Sequence, residues 1–259
     1  MIWSWFKRRR RRKIAARPFP AEWSRALKRN FEHWSLLTKE EQARLREIIQ
    51  VLVEEKYWEG CGGLELTDEV IVTVAAQAAL LLLEIEHDYY RNVLSVLIYP
   101  EGYLVPRSEV GEGGWVVAEG HLPVQGTAHQ RGPVILSWTS ALQGGKNARD
   151  GRNVVFHEFA HKLDMLDGLV DGTPPIDCSD ELDRWVQSMT PAFESVQQRR
   201  RRRKRDVLSD YAGTDVAEFF AVATEVFFEK PAKLRERHPD VYRALRDFYR
   251  QDPAERLSR

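Results

Sequence analysis

The chain has 259 residues, of which 43% are hydrophobic, 30% are charged and eight are tryptophan. This is enough apolar material for a core, so the composition excludes a wholly disordered protein. Two cysteines exclude a disulfide-stapled scaffold and favour a reducing compartment. The formal net charge is zero, but two runs of seven cations, at residues 7–13 and 199–205, leave 25 basic against 39 acidic residues elsewhere. The chain is therefore predicted to be an acidic body with two basic patches.

The first basic run lies in residues 1–18, which are predicted to form a disordered tail. Adjacent cations repel one another, and two prolines follow within residues 17–20. An alternative is that the neighbouring aromatic side chains contact an anionic membrane surface together with the cations. These aromatic residues are Trp3, Trp5 and Phe6.

The next part of the chain, residues 20–90, has a helical pattern. Thr38 and Glu41 have the spacing of a capping box and precede apolar residues on one helix face. Residues 70–83 form the longest apolar run, which is too short to span a bilayer and is predicted to be a buried helix. Because a secretory signal pattern is also missing at the start, the sequence predicts a soluble, cytoplasmic protein without a transmembrane segment.

Short β-rich segments occupy the middle of the chain, at residues 93–99 and 134–138, with a third candidate at 115–117. Further helices are predicted at residues 151–166, 215–229 and 239–250. Helices outnumber strands, so we expect an α+β fold with a small sheet. Residues 19–259 are predicted to form a single domain, with a helical N-terminal part over 20–90 and a catalytic part over 91–255.

The motif that carries chemistry is His157-Glu158-Phe159-Ala160-His161, an HExxH sequence. Residues four apart lie one turn apart on the same helix face, so both imidazoles can bind one metal ion. Zinc accepts two histidines and keeps a water, and Glu158 is placed to take a proton from that water. The alternative is that the three side chains lie on a solvated helix face. It is disfavoured because two residues as scarce as histidine are not expected at this spacing by chance.

A catalytic zinc needs a third protein ligand. The predicted helix 215–229 is strongly apolar but carries Glu218 and Glu225, which are seven residues apart and share a face. Carboxylates in such surroundings are costly unless they are paired or bound to metal. One can bind the ion while the other orients a ligand histidine, and the pattern alone does not decide which; ordinary salt bridges are the alternative.

Two further residues are candidates for supporting roles. Asp164 lies three residues beyond His161 and is a candidate hydrogen-bond partner for it, although a salt bridge at the helix end is an equal alternative. Tyr211 precedes the second helix by a short turn, so that its phenol is a candidate hydrogen-bond donor to a developing oxyanion.

Several separate segments together resemble the Mlc titration factor A family of zinc metallopeptidases. The resemblance covers roughly residues 20–255, and its motifs occur in the family's order. They lie at residues 97–100, 132–138, 157–164, 171–175, 209–222 and 238–253.

The resemblance implies a gluzincin-like, or zincin-like, fold similar to the catalytic domain of anthrax lethal factor. It implies that His157, His161 and Glu218 bind one Zn²⁺, with Glu158 as general base and Tyr211 as oxyanion donor. Glu225 is left with a supporting role. It also implies aminopeptidase-type activity on a peptide or protein substrate, and binding of a glucose-regulated repressor of the Mlc type.

Three functional hypotheses follow. The leading one is a zinc peptidase with a metal-activated water. The second is a regulatory protein that sequesters a repressor and has little or no peptidase activity. The third is nucleic-acid binding through the two basic runs, which is disfavoured because no recognition motif accompanies them and the rest of the chain is acidic.

Overall fold

The computed structural model describes residues 2–101, 126–128, 132–176, 178–202 and 205–257. The strand candidate at 115–117 lies outside them. The helices are α1 (Ile2–Ala15), α2 (Ala21–Asn30), α3 (Lys39–Glu55), α4 (Asp68–Leu81), α5 (Trp138–Lys146), α6 (Val154–Asp164), α7 (Ser179–Arg201), α8 (Val216–Glu229), α9 (Pro231–Arg237), α10 (Pro239–Tyr249) and α11 (Pro253–Arg256). Short 3-10 helices lie at Glu32–Leu36, Met165–Asp167 and Asp210–Gly213.

A small four-stranded sheet contains β1 (Tyr57–Gly60), β2 (Ser95–Tyr99), β3 (Gly126–Ala128) and β4 (Val134–Ser137) in the order β1-β2-β4-β3. The first three strands in this order are parallel, and β3 runs antiparallel to β4. The predicted strands at 93–99 and 134–138 are therefore present, and the mostly helical α+β class is confirmed. Strand β4 is paired on both sides, with β2 and with β3.

Two apolar helices, α4 and α8, form the centre of the fold. Eleven of the fourteen residues of α4 and twelve of the fourteen residues of α8 are buried. Helices that are apolar on all sides require neighbours on all sides, and α6 packs against both of them. One continuous core extends from Leu27 to Ala254, so the N-terminal helices share it with the helices around the HExxH segment.

Side-chain caps explain where α3 and α4 begin. Thr38 and Glu41 form the predicted capping box at the start of α3. Thr67 accepts a hydrogen bond from the backbone N–H of Val70 at the start of α4.

Among the described residues, no helix combines the length and the apolar character needed to cross a bilayer.

The prediction that residues 1–18 form a disordered tail is wrong, because residues 2–15 form α1. Charge repulsion is overcome by acidic partners that are distant in sequence. Arg11 is 9% exposed and lies 2.7 Å from Glu55, and it also pairs with Asp88. Ile14 is buried beside it.

The first three residues of the second basic run form the last turn of the long helix α7. This helix was not predicted, since Pro191 lies inside it and its sequence is mostly polar. Trp185, Met189 and Val196 nevertheless form a buried stripe along it. Arg199 pairs with Asp206, which also accepts from His238 at 2.9 Å.

His33 makes the stability of this fold sensitive to acid. Burial, together with the positive charge of Arg256, lowers the pKa of His33 to about 3. The unfolded chain therefore binds a proton at pH values where the folded chain does not, so this contribution to stability is complete above pH about 6.5 and is lost as the pH falls toward 3. The side chain lies between the rings of Phe31 and Phe156.

Replacing His33 with Phe is therefore expected to flatten the acid side of the stability profile. The slope of the unfolding free energy between pH 6 and 4 should decrease by up to about 1.4 kcal/mol per pH unit, the value for one proton. Urea unfolding at a series of pH values measures this slope. An unchanged slope in the His33→Phe variant would show that His33 is not the group that takes up the proton.

Candidate metal centre

The HExxH segment lies on α6, whose start is set by Asn153. The side chain of Asn153 accepts a hydrogen bond from Phe156 N at 3.0 Å and caps the helix. Val155, Phe156 and Phe159 are buried in the core and fix the rotation of the helix. The remaining face of α6, which carries the two histidines, is directed toward α8.

Three side chains converge between α6 and α8. His157 Nε2 lies 3.0 Å from Glu218 Oε2, and His161 Nε2 lies 3.5 Å from the same oxygen. The two Nε2 atoms are 3.2 Å apart. These residues form the one group in the described part of the chain with the composition and spacing of a metal site.

The donor set fits a tetrahedral metal ion. Atoms that bind zinc at about 2.0–2.1 Å with tetrahedral angles lie about 3.3 Å from one another, and the three measured distances are close to this value. Glu218 Oε2 is buried and has no hydrogen-bond donor among the described residues. The lone pairs of the two Nε2 atoms and of Glu218 Oε2 repel one another at these distances, and a cation bound between them would stabilise them.

Glu225 lies behind His157 rather than in the metal group. Its Oε1 lies 2.8 Å from His157 Nδ1, and its Oε2 accepts from Asn153 N at 2.6 Å. A hydrogen atom on Nδ1 leaves the Nε2 lone pair directed toward Glu218. Of the two carboxylates that the sequence left open, the structure brings Glu218 to the histidines and places Glu225 where it orients one of them.

The carboxylates of the site stabilise positive charge on the histidines between them. Burial lowers the pKa of His157, but the adjacent carboxylates of Glu218 and Glu225 outweigh burial and hold this pKa well above its ordinary range. Burial raises the pKa of Glu218, but its contacts with His157 and His161 hold this pKa well below its ordinary range. Both shifts describe carboxylates placed to stabilise positive charge, and a bound metal cation supplies such charge.

Glu158 is buried beside this group, with 4% of its surface exposed. Burial raises its pKa to about 8, partly offset by His157. Lys162 lies one turn further along α6 and donates to Gly132 O at 3.0 Å, ahead of β4. Glu158 is therefore a carboxyl group in a dry environment whose affinity for a proton is close to that of a general base working near neutral pH.

Tyr211 lies at the open side of the group. Its hydroxyl donates a hydrogen bond to Glu218 Oε1 at 2.9 Å, and its ring centroid lies 5.9 Å from that of His157. Burial of the hydroxyl and the nearby charge of Glu218 raise its pKa well above the ordinary value. The residue as a whole is 54% exposed, so the phenol lies where the metal group meets solvent.

Asp164 is not bonded to His161 in the described structure. Its Oδ2 accepts from Gly172 N at 3.1 Å instead and anchors the loop after α6. Gly172 has a φ of +73°, and a Cβ there would lie 2.2 Å from Val216 O, so this loop passes directly against the start of α8. Asp164 thus fixes the loop that packs against the start of the helix carrying Glu218.

Sequence reasoning missed Glu229. Its Oε2 accepts from the backbone N–H groups of Gly151 and Arg152, both at 2.9 Å, just before α6. Burial and the neighbouring Asp150 raise its pKa to about 9. The available signal was the spacing of four between Glu225 and Glu229, which places both carboxylates on the face of α8 that holds the start of α6.

Comparison with known proteins identifies the family of this chain. The model of the family described as glucose-regulated metallo-peptidase M90 matches residues 5–250. Mlc titration factor A of Yersinia enterocolitica is 34% identical over 242 residues, which are 92% of this chain and 88% of the relative. The protein of the same name from Edwardsiella ictaluri is 33% identical over 229 residues, or 85% and 84% of the two chains.

A third relative has a similar extent. An uncharacterized protein of Synechocystis sp. is 33% identical over 245 residues, which are 94% of this chain and 89% of the relative. The matches therefore include both the helical N-terminal part and the site between α6 and α8. The chain belongs to the glucose-regulated metallo-peptidase M90 family, whose description implies a metal cofactor.

Proposed function

We propose that the chain is a zinc-dependent peptidase, in which His157, His161 and Glu218 hold the ion and Glu158 is the general base. The observation that carries the proposal is the convergence of two imidazole nitrogens and one carboxylate oxygen at 3.0–3.5 Å from one another. Membership of a metallopeptidase family supports the same reaction class. The resemblance to gluzincins and to the lethal factor catalytic domain remains a prediction about the fold.

Each residue of the site has a separate proposed role in hydrolysis. Zinc, when bound, supplies a Lewis acid that polarises the scissile carbonyl and lowers the pKa of water. Glu158 accepts the proton of the attacking water and then donates it to the leaving amine, which is the role its raised pKa favours. Glu225 holds His157 in the tautomer that the site needs.

Tyr211 is proposed to stabilise the negative charge that develops on the carbonyl oxygen. Its hydroxyl is bonded to Glu218 Oε1 and its ring is partly exposed, so a rotation of the side chain can transfer that hydrogen bond to a substrate. A donor directed at developing charge contributes more in the transition state than in the ground state.

The experiment that tests this proposal is hydrolysis of peptides by metal-free and zinc-reloaded protein. We expect a zinc chelator to abolish cleavage, and we expect about one equivalent of zinc to restore it. Aminopeptidase-type cleavage requires a free amino terminus, so matched peptides with free and acetylated termini separate it from internal cleavage. Full cleavage by protein shown to be free of metal would contradict the proposal.

A second candidate function is binding of a transcriptional repressor of the Mlc type. The observation that favours it is the name of the relatives, Mlc titration factor A, at 33–34% identity over most of the chain. In this case the zinc group would maintain a binding surface. A pull-down that compares wild type with Glu158→Gln separates the two functions, because repressor binding without cleavage of any peptide favours the regulatory one.

A further inference from the structure

The helix α1 rests on the body of the protein through one of its faces. Lys7 pairs with Asp88 at 3.0 Å, and Arg11 lies 2.7 Å from Glu55. Ile14 is 2% exposed and continues this face into the core. The spacings of four and three place these three residues along one side of the helix. The opposite side of α1 is therefore held away from the body.

That outward side carries two exposed aromatic rings and several cations. At 100° per residue, Trp5, Arg9 and Arg12 lie opposite the anchored face, and Phe6 and Lys13 lie beside them. Trp5 is 47% exposed and Phe6 is 56% exposed. Their rings meet edge to face at 5.0 Å, and the Arg9 guanidinium lies 5.3 Å from the Trp5 ring.

Among the described residues, no acidic side chain neutralises the outward charges. In the parts of the chain that the structure describes, Arg9, Arg10, Arg12 and Lys13 take part in no ion pair. Like charges four residues apart on a helix, such as Arg9 and Lys13, destabilise it. Exposed aromatic rings add apolar surface facing water. An anionic interface would remove both costs together.

We propose that α1 binds the protein to the surface of an anionic lipid bilayer. The helix would lie in the plane of the interface, with Trp5 and Phe6 at the level of the headgroups and the outward cations on lipid phosphates. The acidic body opposes this little, because charges farther from the bilayer than about 8–10 Å are screened at physiological ionic strength.

The geometry favours a lipid surface over a nucleic acid. Single strands bind in basic grooves with aromatic platforms on which bases stack, whereas α1 presents one convex face. The Trp5 face is covered by Arg9, and the two rings meet at an interplanar angle of 81°. Such rings form a compact apolar wedge rather than two parallel platforms. This inference does not depend on peptidase activity.

The test is co-sedimentation of the full chain with vesicles. The anionic vesicles contain phosphatidylglycerol and phosphatidylcholine, and the neutral vesicles contain phosphatidylcholine alone. One variant removes the rings (Trp5→Ser, Phe6→Ser), and a second removes outward charge (Arg9→Gln, Arg12→Gln, Lys13→Gln). A matched control removes three cations from the other basic run (Arg201→Gln, Arg202→Gln, Arg205→Gln). Circular dichroism establishes that each variant is folded.

Wild type and the control are expected to bind anionic vesicles equally. The charge variant should bind roughly a hundredfold more weakly, since each cation near an anionic surface contributes about a factor of five. The ring variant should lose at least about tenfold. Equal binding to neutral vesicles, unchanged binding by the ring variant, or equally tight and ring-independent binding to DNA would overturn the proposal.

Discussion

Glu158→Gln is expected to retain its metal and to lose peptide hydrolysis by about two to four orders of magnitude, the usual range for removal of a general base. Glutamine has nearly the same shape but cannot accept the proton of an attacking water. The fold should be maintained, because burial already favours the neutral form of Glu158. The measurement is kcat/KM on one peptide substrate, together with metal content.

The matched control for this change is Glu194→Gln. Glu194 is an exposed glutamate on α7 and is not part of the metal group, so its substitution should leave kcat/KM unchanged. If Glu158→Gln retained zinc and hydrolysed the peptide at the wild-type rate, another group would have to be the base. A loss of zinc in the variant would instead point to a structural role for Glu158.

Tyr211→Phe is expected to lower kcat by about a hundredfold to a thousandfold, the range for loss of one oxyanion donor, with a small change in KM. The rates are compared at saturating zinc, because the phenol also donates to the ligand Glu218. Tyr57→Phe is a suitable control, because Tyr57 is 64% exposed and lies on β1.

A purely structural role for Tyr211 would give a different result. The phenol now donates to Glu218 Oε1, and loss of a hydrogen bond to a metal ligand weakens metal binding by about tenfold to a hundredfold. If Tyr211→Phe bound zinc more weakly but had the wild-type kcat at saturating zinc, Tyr211 would position Glu218 and would not stabilise the oxyanion.

The spacing within the HExxH segment was sufficient to predict that His157 and His161 share a helix face. It could not decide between Glu218 and Glu225, because residues seven apart on α8 lie on the same side. The difference comes from the third dimension, since Glu225 reaches Asn153 N at 2.6 Å and is held behind His157. A contact of this kind joins residues 72 positions apart and leaves no local pattern.

The helix α1 was not predicted from the sequence for a related reason. Like charges within residues 7–13 argue against a helix, and Glu55 and Asp88, which hold Arg11, lie far along the sequence. The helix α7 was not predicted because it contains Pro191 and is mostly polar. Its buried stripe of Trp185, Met189 and Val196 becomes evident only from the packing against other helices. Local propensity was overridden in both cases by tertiary contacts.

We propose that Glu218, and not Glu225, is the third metal ligand. The most direct test is the zinc content of purified wild type, Glu218→Ala and Glu225→Ala. We expect about one zinc per chain in wild type, nearly none in Glu218→Ala, and zinc bound about tenfold to a hundredfold more weakly in Glu225→Ala, which loses only the partner of His157. Full zinc in Glu218→Ala together with loss of zinc in Glu225→Ala would contradict this assignment.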